Sequence, residues 1–100
     1  MKENKMAVGV LRIELRLPEV HSLKEKRGRI KRVINQIKST YNASAAEVDK
    51  NDLWQETVIG VSVVGNDSAF VNSCLDQILN FVEGMDAGVL VDQEIEIIHF

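Results

Sequence analysis

From Ala7 the chain alternates. Leu11, Ile13, Leu15 and Leu17 fall on one face, and Arg12, Glu14 and Arg16 on the other. That period of two is the signature of a half-buried strand. Pro18, which cannot continue a hydrogen-bonded ladder, ends it. The period then changes. Ser22 and Glu25 stand at capping-box spacing. Leu23, Ile30, Val33, Ile34, Ile37 and Tyr41 follow along one helical stripe, with Asn42 as its stop. Gly28 within this helix costs about 1 kcal/mol relative to alanine. Residues 43–48 read as a short, weakly apolar strand suited to a sheet edge, and the polar residues 49–52 as a hairpin loop. Residues 57–64 are rich in β-branched side chains and nearly apolar on both faces, as a central strand should be. Gly65-Asn66-Asp67 marks a turn, with Asp67 placed to cap the next helix. Val71, Cys74, Leu75, Ile78, Leu79 and Val82 recur at helical spacing up to a stop near Gly84. Residues 91–100 alternate again, with Ile95 and Ile97 set against Glu94 and Glu96.

The predicted order is βαββαβ. Two helices cover only one face of a four-stranded sheet, so the fold class expected is α+β. The arrangement that satisfies this is a ferredoxin-like sandwich with an antiparallel sheet in the order 4-1-3-2. The first and third strands, richest in apolar residues, become central. The first and fourth become neighbours, which sets Arg12 and Arg16 beside Glu94 and Glu96.

Composition fits this size of fold. One hundred residues, 45% of them apolar, make one domain with one core. Residues 6–100 are assigned to it, and Met1 to Lys5 read as a flexible polar extension. The longest apolar run, residues 58–64, is interrupted by Gly60 and Ser62 and is far short of the ~20 residues a bilayer requires. No membrane partner is expected. With no signal-like apolar stretch near Met1, a cytoplasmic location is expected. Cys74 is the only cysteine, and His21 and His99 are far apart, so neither a metal site nor a cofactor is expected.

Charge changes the picture. Residues 24–32 carry six bases and one acid, Glu25. Extending to Lys38 gives net +6, which leaves −9 for the rest of a chain whose total is −3. Helical geometry divides the run. Lys24, Arg29, Lys31 and Arg32 point sideways or outward. Lys26 and Arg27 lie within about 60° of the apolar stripe. The topology brings the start of this helix together with residues 49–52, Trp54 and Asp86. Lys26 and Arg27 therefore have two readings. They complete an anion site with the helix-start amides, or they pair with Glu47, Asp49 or Asp52. Trp54 reads as a core or rim anchor.

The stretches VGVLRIELRLPEVHSLKEKR, AEVDKNDLW and VVGND resemble the successive motifs of the bacterial YlxP-like proteins, a domain-of-unknown-function family. HSLKEKR (residues 21–27) and DLWQ (residues 52–55) are the most specific parts. The resemblance covers residues 7–98 and implies a ferredoxin-like fold. Genes of that family commonly lie between those of a transcription elongation factor and a translation initiation factor, which implies work with RNA or the ribosome.

The function expected is therefore a non-catalytic RNA- or ribosome-associated binding protein. Its candidate binding residues are Lys24, Arg29, Lys31, Arg32, Lys26 and Arg27. Two alternatives accompany it: a homodimer or other interaction module using the apolar positions Val8, Val10, Ile98 and Phe100, and a small-anion site at the first helix start. No enzyme is expected, because Ser22 is engaged as a cap and no nucleophile stands beside a base. The outward sheet face also lacks the aromatic pair on which RRM sheets stack bases.

Overall fold

The computed structural model describes residues 5–100. The expected extension, Met1 to Lys5, lies outside these residues except for Lys5. The elements follow the expected order: β1 (Ala7–Arg16), α1 (Leu23–Thr40), β2 (Ser44–Asp49), β3 (Glu56–Gly65), α2 (Ser68–Gly84) and β4 (Val89–His99). The sheet order is β2-β3-β1-β4, the expected order read from the other edge, and every pairing is antiparallel.

Alternation in β1 divides the sheet into two faces. Leu11, Ile13 and Leu15 point under the helices, opposite Val61, Ile59 and Thr57 of β3, and all are buried. With Val33, Ile37, Val71, Leu75, Ile78 and Val82 from the helices they form a continuous core. α2 lies across β1 and β3. It comes so close that a Cβ on Gly9 would collide with Val71 Cγ1; glycine permits that approach. Tyr41, at the end of α1, meets Phe81 of α2 edge-to-face at 5.4 Å.

The caps differ in detail from the spacing-based expectation. Ser22 Oγ accepts from the Glu25 N–H at 3.0 Å, but Glu25 Oε2 reaches past Ser22 to the His21 N–H at 3.3 Å. Asp67 occupies the N-cap position of α2 without a side-chain cap hydrogen bond. Register also refines the expected cross-strand charges. Arg12 faces Glu94 directly, but in the same register Glu96 faces Val10, and beyond a slip between Glu14 and Leu15 Arg16 faces Val89.

The other face of the sheet is open. Val10, Val48, Val64, Ile98 and Phe100 are each more than a third exposed. Asp92, Glu94 and Glu96 of β4 stand on this face, opposite Glu14, Arg12 and Val10 of β1. No helix among the described residues is long and apolar enough to cross a membrane.

Candidate nucleic-acid interface

The end of the molecule where β1 finishes gathers the β1–α1 loop, the first turns of α1, the β2–β3 loop and the residues after α2. Lys26 is at its centre. Its side chain is 0% exposed, and Nζ pairs with Glu47 Oε2 at 2.9 Å. Nζ also donates to the Lys50 carbonyl at 2.6 Å and toward that of Asn51 at 3.4 Å. Glu47 Oε2 accepts a further 2.6 Å hydrogen bond from Thr57 Oγ1. A buried ammonium needs this many partners, since an unpaired buried charge is prohibitively costly. Lys26 is therefore unavailable to an external anion, and the reading that pairs it with Glu47 holds.

Arg29 also departs from expectation. Its Nη1 pairs with Glu19 Oε1 and donates to the Ala87 carbonyl at 3.0 Å, leaving the side chain 23% exposed. The guanidinium ties α1 to the loops on either side of it instead of projecting freely. Its hydrogen bond, aided by one within Glu19, holds the Glu19 carboxyl below the ordinary carboxylate range.

Arg27 moves the other way. It is exposed, and no hydrogen bond or ion pair joins it to another described residue. Lys24, Lys31 and Arg32 share that condition, so the first three turns of α1 carry four cations without an ion pair among the described residues: Lys24, Arg27, Lys31 and Arg32. Lys38, exposed in the last turn, continues the row. From Lys24 to Lys38 the row extends about 21 Å at the helical rise. Two shallow hollows lie along it. The first is lined by Ser22, Lys24, Glu25, Gly28, Arg29 and Arg32. The second, lined by Lys31, Asn35, Gln36 and Ser39, shares Gly28 and Arg32 with the first. A Cβ at Gly28 would meet nothing, so the surface between the two hollows is open, with amide and hydroxyl donors beside the cations. Such a surface suits phosphate groups in a row.

The β2–β3 loop is held firmly at the start of α1. Lys50 adopts a left-handed backbone (φ 57°), and its ammonium sits 2.8 Å from Glu14 Oε2 and 3.1 Å from Glu56 Oε1. The hydrogen bonds it donates to these carboxylates, Glu14 foremost, raise its pKa. Gln55 Nε2 donates to the carbonyls of Pro18 and Val20, both at 3.0 Å, and the Gln55 carbonyl accepts from the Leu17 N–H at 2.8 Å. The side-chain clamp of Gln55 was missed in the sequence. The available signal was its place in DLWQ, which here touches the loop leading into HSLKEKR. Trp54, between these anchors, is 52% exposed. It belongs to the rim, not the core.

Comparison with known proteins places the chain in a family. Residues 8–95 match the family described as "Protein of unknown function (DUF503)". The chain belongs to this family. Over 76 residues it is 29% identical to "Uncharacterized protein YlxP" of Bacillus subtilis (strain 168), covering 76% of this chain and 83% of that one. Among solved structures, the de novo designed protein Foldit4 has a similar fold. Its TM-score is 0.52 at 18% identity, covering 95% of this chain and 96% of the design.

The contacts of Lys26 generate a stability prediction. Lys26→Ala leaves Glu47 without its cation and should cost about 3–5 kcal/mol in urea unfolding. Lys26→Met combined with Glu47→Leu should recover most of that loss. A Lys26→Ala protein that unfolds at the wild-type urea concentration would show that this ammonium does not hold the end together.

Proposed function

We propose that this protein is a non-catalytic RNA-binding protein that acts on ribosomal RNA and grips the phosphate backbone with the exposed face of α1. The observation that carries the reading is the row Lys24, Arg27, Lys31 and Arg32, exposed and without hydrogen-bond or ion-pair partners among the described residues. Of the bases in residues 24–32, Lys26 and Arg29 are neutralised by carboxylates. The other four are exposed on the same helix, and Lys24, Lys31 and Arg32 line the two hollows along it. The acids Asp92, Glu94 and Glu96 stand on the open face of the sheet, away from the helix layer. The net charge of −3 therefore does not cancel the field at α1.

Binding of a labelled ribosomal RNA fragment, measured by polarisation across a salt series, tests this. Four phosphate contacts give a slope of log K against log[salt] of about −3 on a single strand. Replacing Lys24, Arg27, Lys31 and Arg32 by glutamate should abolish binding at low salt. Equal affinity of the wild-type and quadruple-variant proteins would sink the reading.

A second reading rests on a separate surface. Val10, Val48, Val64, Ile98 and Phe100 leave apolar area on the open sheet face, and a second copy of the chain would cover it. Light scattering at micromolar concentration should then give twice the chain mass of 11.2 kDa. A constant 11.2 kDa across the concentration range would count against it.

A further inference from the structure

We infer that Trp54 is a stacking platform for an unpaired base, which makes the partner of α1 a single-stranded stretch of RNA. The inference rests on the RNA-binding reading above and specifies its ligand. Trp54 is the only tryptophan of the chain. It is 52% exposed, beside Leu53 at 45%. Its indole N–H donates to no described residue. A large aromatic surface left in water is costly unless something covers it.

The loop that carries Trp54 is rigid on both sides. Before it, Lys26 Nζ holds the Lys50 and Asn51 carbonyls, and the Leu53 N–H closes a turn onto the Lys50 carbonyl at 3.2 Å. After it, Gln55 makes three hydrogen bonds to the β1–α1 loop. The backbone is therefore fixed on either side of an exposed ring, which lowers the ordering cost of any contact the ring makes.

Position supplies the rest. Gln55 grips the Val20 carbonyl, two residues before the Ser22 cap, and Lys26 joins the same loop to the first turn of α1. Lys24 and Arg27 belong to the same first turns of α1 as Lys26. A strand whose phosphates follow Arg32, Lys31, Arg27 and Lys24 runs toward the start of α1, the end to which the Trp54 loop is tied. Aromatic faces accept any base, but only a base outside a duplex stack can lie on one. Asp52, exposed in the same loop, opposes the strand, so Asp52→Asn should tighten binding severalfold.

The test uses the full chain with an oligouridine strand and with an RNA duplex of equal length, following the fluorescence of Trp54. Saturable quenching by the single strand is expected, with weaker duplex binding that leaves the emission unchanged. Trp54→Ala should weaken single-strand binding by about 5- to 100-fold, and Trp54→Phe should keep most of it. The inference is overturned, with the RNA-binding reading intact, if RNA binds through Lys24, Arg27, Lys31 and Arg32 while the emission and the Trp54→Ala affinity stay unchanged. Absence of RNA binding at any salt concentration overturns both. Emission that responds to nuclease-treated ribosomal protein and not to RNA assigns Trp54 to a protein partner and overturns the inference.

Discussion

One buried ammonium joins three parts of this protein. Lys26 leaves the first turn of α1, meets Glu47 on the edge strand β2, and holds the carbonyls of Lys50 and Asn51 in the β2–β3 loop. Burying a lysine is unfavourable, and only a full set of partners offsets the lost hydration. The requirement works in both directions. The ammonium needs the loop carbonyls, and their engagement fixes where the loop goes. Glu47, with Thr57 on the same oxygen, extends the constraint into the central strand β3. The start of α1, the end of β2 and the position of Trp54 are consequences of satisfying one charge.

This constraint sorts the basic run. Six bases in nine residues would repel one another in the first turns of a helix, where the macrodipole already disfavours cations. Lys26 and Arg29 are neutralised inward, by Glu47 and Glu19. Lys24, Arg27, Lys31 and Arg32 stay outside and unpaired. Their placement costs helix stability, as does Gly28, and neither cost returns a contact within the chain. Two local penalties on one exposed face are what a surface kept for a polyanion would show. The acids of β4, on the open side of the sheet, leave that face positive even though the whole chain is negative.

Much of the fold was legible. Alternation in β1 and β4, the helical stripes, and the lone proline after β1 each carried their element. The apolar runs of β1 and β3 carried the sheet order. What failed were distinctions that depend on where a long side chain ends. A helical wheel placed Arg29 outward and Arg27 toward the core, yet Arg29 reaches back to Glu19 and Ala87, and Arg27 bends out to solvent. Both are long enough to choose, and the choice is made by partners far away in sequence. The acceptors of the Gln55 clamp were hidden for a related reason, because the Pro18 and Val20 carbonyls are backbone atoms that any residue supplies. Trp54 is exposed in a loop whose neighbours are tied down, which periodicity does not encode.

Amide chemical-shift mapping of the ¹⁵N-labelled protein during titration with a short unstructured RNA, at low salt, reads the proposed surface directly. Shifts should concentrate on the exposed positions of α1 and on the β2–β3 loop around Trp54, and should fade as salt rises. Shifts confined to the open face of the sheet, with α1 silent, would contradict the account.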